Sequence, residues 1–306
     1  MLRVVKSAML LVLVIWGNHA SLFAQAKFQN AEEAWRVGVA YYNSRNFAAS
    51  REPFEAALKM APNDKFRLKV NDALMASYRL LPEPEKMFGA CEYVIEHSKQ
   101  DAKKSIVRRS LISFSFHQGK IDDLIKRHED RLKKNDKDRT SLYILAEVYS
   151  GAKSNPQKAI EYTQRLAKVD GSKGKPVSVR LSASLAQQFI KAGDYQKGAE
   201  LYEKIAPQDE SLAAWHWKEA ASAWLKAGEK KKALAAAKKS HESAPEKRSD
   251  LLTHFWHKGI ADIFLATDDA NLAIEHYKKA IKTTKIDGYI QSSKAGLKAA
   301  KEKARQ

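Results

Sequence analysis

One cysteine, Cys91, is present in the 306 residues, so no disulfide can close within the chain. A protein without such staples must be held by its core. A lone cysteine in an apolar helical pattern reads as a small buried hydrophobe. Long apolar runs are lacking too: Ala8 to Gly17 is about half of the roughly 20 residues needed to cross a bilayer. Few segments show the alternation of a half-buried strand. No HExxH motif is present, no paired carboxylates stand out, and Cys91 has no evident nucleophilic partner. Gly171-Ser172-Lys173-Gly174-Lys175 lacks the glycine spacing and the preceding strand of a phosphate-cradling loop, and reads as linker. These absences leave no catalytic or cofactor signature. The expectation is a protein that is not an enzyme and takes no cofactor.

Acidic residues are also under-represented, 36 against 54 lysines and arginines, for a net charge of +18. Residues 101–306 hold +15 of it. Such a field favours anionic partners, but lysine is also a good helix former that costs little on an exposed face. Solvated helix exteriors are the preferred reading of the excess.

At the N-terminus, Arg3 and Lys6 precede the short apolar run, and Ala24-Gln25-Ala26 is a small-x-small sequence. That layout predicts a secretory signal peptide over residues 1–26, a mature chain from Lys27, and export to a periplasm or the cell exterior. An uncleaved membrane anchor is the alternative. No cysteine follows the run, which argues against lipid anchoring.

Alanine, leucine, lysine and glutamate dominate the rest, with apolar residues at three- and four-residue intervals broken every 12 to 16 residues or so. Trp217, Ala220, Ala221, Trp224, Gly228, Ala233 and Ala237 are spaced as one helical hairpin. His257, Ile260, Ala261, Phe264, Asp268, Ala273 and Tyr277 repeat that spacing. Small residues mark helix crossings, and Trp217, Trp224 and Tyr277 fill the wider gaps. Similar units are read over 31–64, 141–169 and 179–207, with weaker pairs at 66–98 (Ala73, Tyr78, Phe88 and Tyr93 as core) and at 105–134 around Gln118-Gly119-Lys120. The equivalent aromatic recurs at Tyr149, Phe189, Trp224 and Phe264. The predicted organisation is 27–169 as N-terminal repeats, 170–176 as a polar linker, and 177–306 as C-terminal repeats ending in a Lys/Ala-rich capping helix. Such hairpins cannot bury an apolar face alone and must stack into a solenoid.

These residues resemble the tetratricopeptide repeat (TPR) family. Its first-helix pattern matches Trp217, Ala220-Ala221 and Trp224. Its turn and second helix match Gly193-Asp194-Tyr195 with Tyr202, and Ala273, Tyr277 and Ala280. The resemblance covers most of residues 31–283 and is weak over 66–134. It implies an all-α, TPR-like α-solenoid, a right-handed superhelix whose concave surface is lined by first helices and binds peptides or protein segments. The lysine and asparagine clamp of the chaperone-binding subclass is not matched, since Trp35 and Val39 occupy two of its positions.

By register, the concave side is expected to carry Trp35, Val39 and Tyr42 in the first unit, and Tyr143, Arg180, Gln187, Lys191, Trp215, Lys218, Lys226, Phe255 and Lys258 later. Aromatics supply contact area, and lysine or arginine selects carboxylate or phosphate. The expected function is a non-catalytic protein-interaction scaffold that binds a protein or peptide, acidic where the cations face it. Packing against the next hairpin competes as an explanation for each aromatic. The rival is a basic binder of an anionic envelope polymer or lipid surface, with nucleic acid disfavoured. A third reading is an enzyme with a metal held by His254, His257 and His276. A zinc site needs three converging ligands, and His257 stands where Trp217 packs in the preceding unit, so no metal is expected.

Overall fold

The structure, a computed structural model, describes residues 28–81, 83–172, 178–243 and 249–306. The expected signal peptide and most of the expected linker, residues 173–176, lie outside the described residues.

Helices start where a short polar side chain can accept from an otherwise orphaned amide. Asn30, Asn46, Asn63, Asp138, Ser178, Asp194, Ser249 and Asp269 all do so. Pro84 and Pro156 open their helices at the first position, where no amide is needed, and Asn155 also accepts from the Lys158 amide at 3.1 Å. The helices are α1 (Ala31–Asn43), α2 (Phe47–Lys59), α3 (Asp64–Tyr78), α4 (Pro84–His97), α5 (Asp101–His117), α6 (Ile121–Lys134), α7 (Arg139–Ser150), α8 (Pro156–Ser172), α9 (Val179–Lys191), α10 (Tyr195–Ile205), α11 (Ala213–Lys226), α12 (Lys230–Glu242), α13 (Asp250–Ala266), α14 (Ala270–Lys282) and α15 (Asp287–Lys303). A short 3-10 turn, Ala206–Gln208, precedes α11. The described residues contain no strand.

One turn recurs and defines the hairpin. The first helix ends at a residue in the left-handed region: Arg45, Gly119, Gly193, Gly228 or Asp268. The next amide then donates back five residues, at 2.7–2.9 Å: Asn46 to Tyr41, Lys120 to Ser115, Asp194 to Phe189, Glu229 to Trp224, Asp269 to Phe264. At four of the five, the left-handed residue itself donates back three, so these turns are Schellman motifs. Glycine takes the positive φ without strain, while Arg45 and Asp268 do so at a cost. The α7–α8 turn is longer, with the Asn155 amide reaching Tyr149 at 2.8 Å. The carbonyls of Tyr149, Phe189, Trp224 and Phe264 therefore have one structural role, as their sequence spacing implied. The α5–α6 turn has the same geometry, although its sequence is among the weakest matches. The α3–α4 connection departs from it.

The chain divides into two compact units at Arg127 and His128, inside α6. In the first, α1 to α4 each pack on the next helix and α4 packs on α5. Gly38 is required there, because a Cβ would stand 2.4 Å from the Phe54 ring. Tyr78 and Phe88 are buried as expected, but Leu74 rather than Ala73 fills the core, and Tyr93 lies half-exposed, stacked on His97. Cys91 is fully buried, and burial raises its thiol pKa. It is an inert core residue.

In the second unit, consecutive helices pack from α7 through α15, and α11, α13 and α15 also touch in that order. Their core joins Ala186, Tyr202, Trp217, Ala220, Ala221, Trp224, Ala233, Ile260, Phe264, Ala273 and Tyr277. Buried aromatics keep their polar tips bonded: Trp224 to Glu203 at 3.0 Å, Tyr277 to Asp262 at 2.6 Å, Tyr202 to Gln187 at 3.3 Å. The final helix α15 packs on α13 and α14, and Gly296 lets it approach the Tyr277 ring. The expected linker begins later than the sequence suggested. Asp170 to Ser172 form the last turn of α8, because the buried Asp170 carboxylate is held by Arg139 at 2.7 and 3.0 Å.

Candidate functional site

The row of first helices α11, α13 and α15 carries the richest set of expected binding residues. Trp215 and Lys218 lie one turn apart on α11, with the ammonium 5.4 Å from the ring centroid. The Lys218 stem reaches α13, where a Cβ on Gly259 would meet it at 3.4 Å. Phe255 and Lys258 flank that contact on α13. Trp215 is half-buried, and its indole nitrogen finds no hydrogen-bond partner. Phe255 remains 40% exposed, and its ring meets Tyr289 of α15 at 5.1 Å. Leu251 and Leu252 on α13 and Ile286 just before α15 are also exposed, and register alone does not single them out. Their signal was present: three apolar residues at helix starts with no hairpin partner in the pattern.

Most cations of the row are already engaged. Lys218 pairs with Glu219 and Lys258 with Asp262, each at 2.8 Å. Lys226 stands over Tyr195. Lys191 donates to the Ser150 carbonyl at 3.3 Å, beside the bond from Gln188 to Ser150. Gln187 accepts from Tyr202. Arg180 is exposed on the first turn of α9. Tyr143, half-buried on α7, lies under the Arg139 guanidinium. In the first unit, Trp35 packs on Phe54 at 5.2 Å and Phe66 at 6.2 Å, with Lys69 over its face. Tyr42 meets Phe47 and Phe54. Trp35 is thus a packing residue between hairpins, since α3 supplies the surface that covers it.

The histidines converge differently from the sequence expectation. His276 is buried at the centre of α14. Its Nε2 lies 2.8 Å from His241 Nδ1, and its Nδ1 lies 3.0 Å from His257 Nδ1. His254 instead bonds the Ala280 carbonyl at 2.9 Å. Aligned by the 40-residue repeat, His257 replaces Trp217 and His276 replaces Ala236, so a smaller side chain on one helix is matched by a larger one on its partner. His241, near the end of α12, had no such signal. Burial, then Lys279, lowers the His257 pKa to about 4; burial, then His257, lowers that of His276 to about 3. His276 offers different nitrogens to its two partners, so the three rings do not converge on one point. Among the described residues, no group of three or more histidine, cysteine or acidic side chains is placed to hold a metal ion.

No family model matches the sequence, and no curated protein does. The chain is similar to the C-terminal part of a TPR repeat-containing protein from Cytophaga hutchinsonii, 15% identical, over 86% of this chain and 98% of that one, with a TM-score of 0.53. It is also similar to a tetratricopeptide repeat protein from Parabacteroides merdae (16% identity, 89% of this chain and 99% of that one, TM-score 0.42). MamA is a further similar structure (17% identity, 56% and 94%, TM-score 0.45). The repeated Schellman turns, the consecutive hairpin packing and the Cytophaga likeness agree on one architecture: the chain folds as tetratricopeptide repeat proteins do, an all-α, TPR-like α-solenoid with a C-terminal capping helix.

Proposed function

We propose that this protein is an exported, non-catalytic interaction scaffold that holds a protein or peptide segment along α11, α13 and α15. The observation that carries this reading is the exposure of Leu251, Leu252 and Phe255 over the first two turns of α13 and of Ile286 just before α15, with Phe255 meeting Tyr289 of α15 at 5.1 Å. Singly exposed apolar residues are ordinary, but a cluster on adjacent first helices offers a contact surface. Because Lys218 and Lys258 already have carboxylate partners, the aromatics supply most of the affinity and the cations select acidic character at the rim. Export rests on Arg3, Lys6 and Ala24-Gln25-Ala26.

An affinity pull-down from envelope extract, at low and high salt, identifies the partner. Changing Leu252 and Phe255 together to Ser is expected to weaken its capture with the helical circular dichroism unchanged. Changing the exterior Lys230, Lys231 and Lys232 to Ala is expected to matter little. Equal losses in the two variants, with capture abolished by salt, would transfer the function to a diffuse basic surface. N-terminal sequencing of the native protein is expected to begin at or near Lys27. An intact Met1 segment in the membrane would remove the export claim.

A further inference from the structure

The three imidazoles His241, His276 and His257 form a hydrogen-bonded line across α12, α14 and α13, through contacts of 2.8 and 3.0 Å. The centre of the line is enclosed, while His241 and His257 are half-buried: Trp256 meets His276 at 5.4 Å and Phe264 meets it at 5.7 Å. His276 is 1% exposed. Proton counting sets what this line tolerates. Three neutral imidazoles carry three N–H groups and three lone pairs. The two contacts need one proton each, and the outer nitrogens of His241 and His257 can hold one each. The line therefore accepts one added proton with both contacts intact, whichever tautomer it starts from. A second added proton puts two N–H groups face to face in one contact. That contact breaks inside an apolar shell, where unmet donors are costly.

A second feature lies alongside. His254, fully buried on α13, donates through Nδ1 to the Ala280 carbonyl, which leaves Nε2 without a partner. The charged groups near the line are Glu275 and Lys279 of α14, paired with each other at 2.6 Å. They act on His257 and His276 in opposite directions, Glu275 raising and Lys279 lowering each pKa. From α15, Tyr289 stacks on His254; from α11, the Ala214 carbonyl receives Ser240 of α12 and Trp256 of α13. Among the described residues, the carboxylate that acts on His257 and His276 is Glu275, and it is already tied to Lys279.

We propose that this histidine line is an acid-sensitive latch that holds α12, α13 and α14 together at neutral pH and releases them in mild acid. The lowered pKa values of His257 and His276 give the sign. An unfolded histidine titrates near 6.5. Between there and about 4, the opened state binds more protons than the closed one, so stability is complete above 6.5 and is lost as pH falls. The latch is independent of the proposed partner surface, since its test needs no partner.

The test is the opening equilibrium of α12–α15 in the purified protein from pH 7 to 4.5, read by hydrogen exchange corrected for the intrinsic pH effect, with α3–α5 as internal reference. At least a tenfold increase in opening per pH unit below 6.5 is expected, confined to α12–α15. The double variant His257→Gln, His276→Gln is expected to flatten that slope, and His117→Gln on α5 to leave it unchanged. A flat wild-type profile, or an unchanged slope in the double variant, overturns the proposal. If the double variant does not fold, ring nitrogen NMR of the wild type decides. His276 is expected to stay neutral in the folded protein at pH 5.5, and a charged ring there overturns the latch. A large gain in stability on adding zinc at pH 7 would also overturn it, because the rings would then be serving as ligands.

Discussion

Replacing Trp224 by Ala tests the repeat register at its most buried tryptophan but one. Trp224 is 2% exposed, and its neighbours come from three helices. Its indole nitrogen donates to Glu203 of α10, Lys232 of α12 lies 4.3 Å over the ring, and the Ala-rich crossing of α11 with α12 surrounds its base. Removing about 200 Å² of buried aromatic surface at about 25 cal/mol per Å² costs about 5 kcal/mol. Truncations of this kind cost about 3–5 kcal/mol in practice. Glu203 is only half-buried, so its freed carboxylate regains water and adds little. About 4 kcal/mol is therefore expected for Trp224→Ala. Trp224→Phe keeps most of the ring and loses chiefly the bond to Glu203, so about 1–2 kcal/mol is expected. Urea unfolding followed by circular dichroism and by fluorescence measures both. Stacked repeats need not unfold as one unit, so the two probes are expected to diverge in the Ala variant. A Trp224→Ala protein within 1 kcal/mol of wild type would refute the packing argument and the register built on it.

The hairpins were legible because their chemistry is local. Small residues at Ala220, Ala221 and Ala233 let helices approach, and glycine at 193 and 228 permits the left-handed turn residue. Turns are harder to read where they use a residue that does not advertise them. Arg45 and Asp268 adopt positive φ without being glycine. They are recognisable only by their C-terminal neighbours, Asn46 and Asp269, whose side chains cap the next helix. The 40-residue spacings arise outside this invariant turn: in the longer α7–α8 connection and between hairpins, where periodicity carries no information. The end of α8 was missed for a different reason. Asp-Gly-Ser reads locally as a break, but a tertiary bond from Arg139, 31 residues earlier, extends the helix through it.

The candidate surface was legible in part. One-residue offsets from core positions found Trp215, Lys218, Phe255 and Lys258, which the fold gathers on α11 and α13. They could not reveal that Lys218 and Lys258 are paired within their own helices, since i,i+1 and i,i+4 carboxylates are common on any charged helix. Nor could they reveal that Phe66 and Lys69 of the next hairpin pack against Trp35, which is half-buried. The imidazole line needed three helices to be placed together, and only two of its members shared a readable register.

Further substitutions separate the terms that hold the fold. Gly296→Ala would place a Cβ 2.4 Å from the Tyr277 ring and is expected to cost about 1–3 kcal/mol. Gly89→Ala, with nothing within 4 Å, is expected to gain about 0.5–1 kcal/mol. Thermal unfolding checks both, and equal effects would defeat the close-approach argument. Gly228→Ala, at φ 81°, is expected to cost roughly 1–2 kcal/mol, while Asp268→Gly is expected to stabilise; the opposite signs would undo the turn assignment. The last test concerns Arg139 and Asp170. The Asp170 side chain is 10% exposed and accepts two bonds from one guanidinium, so Arg139→Ala leaves a carboxylate with little water and no partner, expected to cost about 1–3 kcal/mol. Arg139→Lys keeps the charge but cannot form the fork, and is expected to recover only part of that loss. The cost should be local: amide protection near the end of α8 should fall while α13 keeps its own. Changing Asp170 to Ala in the Arg139→Ala background should restore some stability, because the stranded charge is then gone. If Arg139→Ala leaves that protection unchanged, the helix runs to Ser172 on its own propensity, and the ion pair does not set its boundary.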